Sequence, residues 1–409
     1  MLALGLPTGP RVLDALGPLA GALTGSGPPL VPYAAGDPPP VLPPTDGTPL
    51  PEDLALVVST SGSSGDAKLV LLTADNLLAS AGAAHEVLGG PGSWLLAIPA
   101  HHIGGLQVLI RAVLGTGEPT VLDLAGGFTS EGFVAATRSM PATSGPAYVS
   151  LVPTQLTRLL HDPVAVSVLS GFDAVLCGGA STSAAVRERA RAEGVSLVLT
   201  YGMSETAGGC VYDGMPLPVA EVHIDNDRHV VLGGTTIGHG YLGLPDLTAD
   251  RFQTDPDGVR WFRTDDLGRL DRQGRLHITG RADDLINTGG LKVAPGSVED
   301  ALVRYLPGVR DAVVVGVPDP EWGQVVAAAV TLLPNAATRP TVQDARSVLR
   351  GILPDHALPR MLQVLEAFPV LGPGKPDRWT LSRAFGERIG RVPTADTSVD
   401  EEGGDAWGG

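Results

Sequence analysis

Leu54-Ala55-Leu56-Val57-Val58 runs directly into Ser59-Thr60-Ser61-Gly62-Ser63-Ser64-Gly65-Asp66-Ala67-Lys68. The first five residues form a short apolar run that reads as a buried strand. The next ten hold four serines, one threonine, two glycines and a closing lysine. Glycine lets backbone N–H groups approach a ligand, hydroxyls donate hydrogen bonds, and lysine adds positive charge. That set suits a polyphosphate. A flexible Ser/Gly surface loop has the same composition, and the stretch by itself leaves both open. Its spacing, Gly62-x-x-Gly65-x-x-Lys68 and then Leu69, differs from the common Gly-x-x-x-x-Gly-Lys-Ser/Thr nucleotide loop.

Outward from this stretch, strands and helices alternate. The serine loop leads to a helix from about Ala74, with Thr73 as its N-cap. Residues 94–98, 121–122, 147–152, 174–177 and 197–200 continue the strand series, with helices near 106–114 and 183–193. This alternation predicts an α/β fold whose large N-terminal domain is a mainly parallel sheet covered by helices. Residues 59–68, 99–102, 178–180 and 201–206 each follow a predicted strand. In parallel sheets ligands bind outside the strands' carboxyl ends, so one shared rim is expected to gather all four. From about residue 220, short strands separated by Asp/Asn/Gly turns predict a small antiparallel subdomain. Strands at 312–316, 325–332 and 363–366 with a helix near 342–351 predict a smaller C-terminal α+β domain. Residues 1–27 read as a short helical lead-in. Residues 28–51, with ten prolines, read as an extended linker.

Composition narrows the function. A chain of 409 residues exceeds one ordinary domain. The net charge of −16 argues against a broad nucleic-acid surface, so no nucleic-acid partner is expected, while a small anion in a local basic pocket remains possible. No apolar run reaches about 18 residues, so no membrane span is expected. The first residues lack the basic start of a secretory signal, and two cysteines, Cys177 and Cys210, are too few for a disulfide framework. A cytoplasmic location is expected.

Later motifs add chemistry. Tyr201-Gly202-Met203-Ser204-Glu205-Thr206 offers a ring that could stack on a base and a carboxylate that could hold Mg²⁺. An ordinary strand-to-loop turn with Tyr201 in the core is the other reading. Asp265-Asp266 and Arg281-Ala282-Asp283-Asp284 provide aspartates and an arginine that could bind ribose hydroxyls, or salt-bridged surface turns. Gly374-Lys375 places a lysine in a Gly/Pro-fixed turn. His101-His102 lacks metal spacing. No His-Glu-x-x-His, Gly-x-Ser-x-Gly or helix-opening Gly-x-Gly-x-x-Gly is present, so metalloprotease, α/β-hydrolase and classical dinucleotide functions lose support.

In this order and over most of the chain, these motifs resemble the adenylate-forming superfamily of acyl-CoA synthetases. Within it, residues 99–111 and 204–214 are similar to the 2-succinylbenzoate–CoA ligase family of menaquinone synthesis, in a short actinobacterial style. The resemblance implies an AMP-forming acid–thiol ligase that uses ATP, Mg²⁺ and coenzyme A on a small carboxylic acid. It implies that Thr60, Ser61, Gly62, Ser63, Ser64, Gly65 and Lys68 hold the β- and γ-phosphates. Gly178, Gly179 and Ala180 would line the adenine with Tyr201 stacked on it, and Asp266 and Arg281 would bind ribose hydroxyls. Glu205 would bind Mg²⁺, Thr206 would contact the α-phosphate, and Lys375 would be the catalytic lysine. His102 would stand between acyl and nucleotide sites, with Gly105, Gly208 and Gly209 beside the acyl group. Arg111 is a candidate partner for a substrate carboxylate, or else a structural helix arginine. Asp283 would be a hinge.

The implied domains are 1–280 (with the β subdomain at 220–280), a hinge at 281–284, a mobile C-terminal domain at 285–385 and a disordered acidic tail at 386–409. A homodimer is possible. The chain departs from the family at Asp265, where glycine is usual, at Asp66-Ala67 before Lys68, and at 289–293, which lacks an acidic residue. The first subdomain is expected to be shorter than in longer relatives. An acyl-CoA synthetase for another aryl or medium-chain acid, or a non-enzymatic adenylate-binding regulatory relative, are the competing possibilities.

Overall fold

Leu54 to Val58 are all buried, as an apolar run inside a sheet should be. The computed structural model describes residues 1–43, 49–60, 68–115, 117–142, 145–333, 336–371 and 375–389. In it the Leu54–Ser59 strand lies between Leu30–Ala34, parallel to it, and Leu69–Thr73, antiparallel to it. Leu2–Leu6 extends the sheet on one side and Gly240–Tyr241 on the other. Side chains alternate as strand geometry requires. Leu56, Val58, Val70 and Leu72 enter the main core, while Val57, Leu69 and Leu71 join Val31 and Leu242 on the opposite face.

This sheet corrects three expectations. The lead-in at 1–27 opens with the Leu2–Leu6 strand, and only Pro10–Ala15 and Leu16–Leu23 are helical. The proline-rich linker contains the Leu30–Ala34 strand. Pairing of that strand with Leu54–Ser59 is confined to Leu30 opposite Leu56, before Pro32, which has no N–H to give. The serine loop does not pass straight to a helix. It joins two antiparallel strands, and the Ala74–Leu88 helix follows the second.

A second sheet of seven strands runs Met215–Pro216, Gly208–Tyr212, Leu197–Met203, Ala174–Cys177, Ala147–Leu151, Ser93–Leu96, Thr120–Val121. Its last five strands are mutually parallel. Leu96, Tyr148 and Leu176 pack one face against Leu77 and Leu109 of the helices Ala74–Leu88 and Ile103–Leu114. Leu95, Val149 and Val175 pack the other against Phe133, Leu156 and Ala190. The expected helix-covered parallel sheet is therefore present. The four motifs do not share its rim, however: the serine loop belongs to the first sheet. The expected antiparallel subdomain is the sheet of Ala220–Ile224, His229–Gly234, Arg260–Leu270, Phe252–Thr254 and Leu276–Arg281.

The chain divides into two compact units, Met1–Asp284 with Val370–Pro376, and Leu285–Pro369 with the chain from Asp377 onward. In the second unit, Val309–Asp319 and Gly323–Leu332 form a long antiparallel pair. One face, with Val314, Val326 and Val330, meets Val298 and Leu302 of the Pro295–Tyr305 helix. The other, with Val313, Val315 and Ala327, meets Leu381 and Phe385 of the helix Arg378–Ile389. That helix covers 386–389, which the sequence assigned to the acidic tail; the rest of the tail lies outside the described residues.

Candidate active site

The serine loop is closed at its base. The Thr60 N–H donates to the Lys68 carbonyl at 2.8 Å, and the Lys68 N–H donates to Thr60 Oγ1 at 3.4 Å. Ser61, Gly62, Ser63, Ser64 and Gly65 lie outside the described residues. The Lys68 ammonium stands over the Tyr241 ring, 5.4 Å from its centroid, and the Tyr241 hydroxyl donates to Glu205 Oε1 at 2.9 Å. Lys68 and Glu205, 137 positions apart in sequence, thus meet through a tyrosine that no motif singled out. Burial and the Glu205 charge push the Tyr241 phenol well above its ordinary range.

Glu205 sits in a short 3₁₀ turn, Ser204–Thr206, after the Leu197–Met203 strand. Three contacts fix this turn. The Gly238 N–H donates to the Glu205 carbonyl at 2.8 Å. Ser80 Oγ and Gln107 Nε2 both donate to the Ala207 carbonyl, at 3.0 and 2.7 Å. Ala207 holds a left-handed φ of 51°, uncommon for a residue with a Cβ. Thr206 is fully buried. Its hydroxyl accepts from the Met203 N–H at 2.9 Å and donates to the Gly208 carbonyl at 2.7 Å. The Thr206 hydroxyl thus holds its own turn together.

Tyr201 lies inside the strand, four residues before Glu205. Its hydroxyl donates to Asp266 Oδ2 at 2.7 Å, and Arg281 Nη1 donates to Asp266 Oδ1 at 3.3 Å. Asp266 and Arg281 are brought together because Arg260–Leu270 and Leu276–Arg281 pair in antiparallel register with these two residues opposite. Burial, then the Asp266 charge and hydrogen bond, raise the Tyr201 phenol well above its usual range. Arg281 also reaches both Asp283 oxygens, at 2.9 and 2.8 Å. Burial works against its charge, but these carboxylates hold its affinity for a proton above normal. Asp265, which departs from the family, accepts from Arg251 at 2.7 Å and lies 3.8 Å from Arg281 Nη2, which ties it to the same ionic network.

Gly178, Gly179 and Ala180 follow the Ala174–Cys177 strand. A Cβ on Gly178 would stand 2.3 Å from Thr200 Oγ1, so the neighbouring strand demands glycine. Gly179 and Ala180 are exposed beside it. The His101 and His102 rings lie 4.2 Å apart at the start of the Ile103–Leu114 helix, where His102 is the N-cap residue. Burial lowers the His101 pKa against a smaller opposing effect of Asp37. Gly105 is pressed against the Pro99 carbonyl, and Gly208 against the Gln107 side chain. Gly209 lies beside Tyr212 and Thr200.

Of the two readings of Arg111, the contacts favour the structural one. It is 3% exposed, stacks on Trp94 with its guanidinium carbon 4.9 Å from the ring centroid, and donates to the Tyr212 hydroxyl at 3.2 Å. Nine residues of helix, about 13 Å at 1.5 Å each, separate it from His102, so it serves the core. Among the described residues, no group of three or more His, Cys, Asp or Glu gathers to hold a metal, and no helix is long and apolar enough to cross a membrane. Lys375 pairs through its backbone with Leu371 in a two-stranded ribbon; its side chain lies outside the described set. Reasoning from sequence missed Tyr241, Ser80, Gln107 and Arg251. For Ser80 and Gln107 a signal existed: each lies one turn from another polar residue, Asn76 and Arg111, on the buried face of its helix.

The AMP-binding enzyme family matches residues 14–238, and the AMP-binding enzyme C-terminal domain matches residues 297–375. The chain is 41% identical over 387 residues to the "Probable 2-succinylbenzoate--CoA ligase" of Mycobacterium tuberculosis (strain CDC 1551 / Oshkosh), covering 94% of this chain and 98% of the relative. The solved O-succinylbenzoate coenzyme A synthetase of Bacillus subtilis, in complex with AMP, is 26% identical with a TM-score of 0.66, covering 80% of this chain and 69% of that one. The amide bond synthetase McbA of Marinactinospora thermotolerans is 28% identical with a TM-score of 0.72, covering 94% and 80%.

Proposed function

This chain belongs to the adenylate-forming AMP-binding enzyme family, and from that premise we propose that it activates 2-succinylbenzoate with ATP and transfers the acyl group to coenzyme A. The observation that carries the acyl substrate is the end-to-end match, at 41% identity, to a relative of that printed activity. A carboxylate is a poor acyl donor because its carbon is shielded by negative charge. Attack of a carboxylate oxygen on the α-phosphorus forms an acyl-adenylate and expels pyrophosphate. The coenzyme A thiolate then attacks the acyl carbon and releases AMP. Charge gathers on phosphate oxygens in the first step, so positioned cations and N–H donors dominate catalysis.

Thr60, Lys68 and the residues between them cradle the β- and γ-phosphates. Tyr201 and residues 178–180 hold the adenine. Asp266 is the carboxylate to accept the ribose hydroxyls, oriented by Tyr201 and Arg281. Lys375 supplies the mobile cation of adenylation, and His102 separates the acyl and nucleotide sites. Glu205 is the residue to hold Mg²⁺. One buried carboxylate fits a cation that is usually held by one or two carboxylates together with substrate phosphates. When bound, that ion neutralises developing phosphate charge. The two cysteines are free and buried, which suits a cytoplasmic reaction.

The test is exchange of labelled pyrophosphate into ATP across a panel of aryl and medium-chain carboxylic acids, followed by thioester formation with coenzyme A. The highest exchange rate is expected with 2-succinylbenzoate. A higher kcat/KM for another acid would replace that substrate, and nucleotide binding without exchange would favour the regulatory alternative.

A further inference from the structure

Tyr241 presents two surfaces to the candidate site. Its hydroxyl donates to Glu205 Oε1 at 2.9 Å, and its ring lies under the Lys68 ammonium at 5.4 Å. Tyr241 and Glu205 are 5% and 8% exposed. Three further contacts fix the tyrosine. Its strand places it opposite Val70, two residues beyond Lys68. Its N–H donates to Thr248 Oγ1 at 2.9 Å. Its ring packs edge-on against Phe252 with centroids 5.3 Å apart.

We propose that Tyr241 is a positioning residue that sets the Glu205 carboxylate relative to the Lys68 ammonium, so that a divalent cation and the phosphate chain of a nucleoside triphosphate are received at one fixed spacing. The proposal rests on the role given above to Glu205. A hydrogen bond from outside the coordination sphere orients a ligating carboxylate, and its loss typically costs about 10–100-fold in metal affinity. The ring acts separately, through the face it offers to Lys68.

The two parts are separable on the full chain by titration calorimetry with Mn²⁺·ATP and with ATP in excess chelator. Tyr241→Phe removes the hydroxyl and keeps the ring. It is expected to weaken Mn²⁺·ATP binding about tenfold or more while leaving metal-free ATP binding within about twofold. Tyr241→Leu removes both and is expected to weaken both; unchanged metal-free binding in it would overturn the part given to the ring. The ratio of the two affinities within one variant cancels any loss of folded protein. Glu205→Gln is the control for the underlying role and should lose Mn²⁺·ATP selectively. If Glu205→Gln is impaired and Tyr241→Phe is not, the positioning role is overturned and the metal role stands. If both bind Mn²⁺·ATP as the parent does, the metal role of Glu205 fails and takes the proposal with it. Equal weakening of both ligands by Tyr241→Phe would make the hydroxyl merely structural and overturn the proposal.

Discussion

Asp266 is where two donors from distant segments converge, the Tyr201 hydroxyl and the Arg281 guanidinium. Hydrogen bonds to charged groups are worth about 1.5–3 kcal/mol each, or about 10–150-fold in affinity. Asp266→Ala is therefore expected to raise the KM for ATP by at least about tenfold in pyrophosphate exchange, with kcat changed far less, the mark of binding shared by ground and transition states. An unchanged KM would remove Asp266 from the nucleotide site. The cysteines give a second expectation. Burial pushes Cys177 up to about 11 and Cys210 up to about 12, from an ordinary 9.0. Folding favours the protonated thiols, so their contribution is intact below about pH 9 and is lost as pH rises through 11 to 12. At pH 8 neither should react with a disulfide reagent until the protein is unfolded, which absorbance of the released thiolate would report.

The Ala74–Leu88 helix shows how far an element can be read from its own residues. Its start was legible: Thr73 accepts from the Asn76 N–H, and Asn76 Oδ1 accepts from the Thr73 N–H, closing a capping box. Thr73→Ala should cost about 1 kcal/mol in urea unfolding. What the helix does for the site was not legible. Asn76 and Ser80, one turn apart, reach the carbonyls of Thr235, Ile237 and Ala207, all more than 120 positions away. Ser80 and Gln107 share the Ala207 carbonyl, so their substitutions should not add. Ser80→Ala or Gln107→Leu alone should each cost about 1 kcal/mol, and the pair more than the sum, because only then is a buried acceptor left without these donors. A strictly additive double-mutant cycle would show that the shared carbonyl does not couple them.

At the scale of the whole molecule, the division after Asp284 falls one residue beyond the candidate hinge Asp283, whose carboxylate is engaged by Arg281. We propose that Lys375 serves only the first half-reaction. Lys375→Ala is expected to slow adenylation about 10²–10³-fold, the scale of one lost transition-state donor, while thioester formation from preformed acyl-adenylate survives. Equal loss of both half-reactions, measured by rapid quench, would end the idea that the two steps use different domain arrangements.

The sequence by itself determined the fold class and the order of the motifs, because hydrophobic period, turn chemistry and motif spacing are local properties; the reaction family came from the resemblance of those motifs to a known family. It misread the first sheet. A strand whose pairing partners lie elsewhere in the chain carries little local signal, and the prolines around Leu30–Ala34 masked it. Only the tertiary structure decided which candidates act together. It joined Asp266 to Tyr201 and Arg281, consigned Arg111 to the core and turned the Thr206 hydroxyl inward. It also placed Tyr241 between the lysine that closes the serine loop and the carboxylate of Glu205. Most of these juxtapositions join segments apart in sequence, 65 positions for Tyr201 and Asp266 and 36 for Tyr241 and Glu205, and neither composition nor spacing encodes them locally.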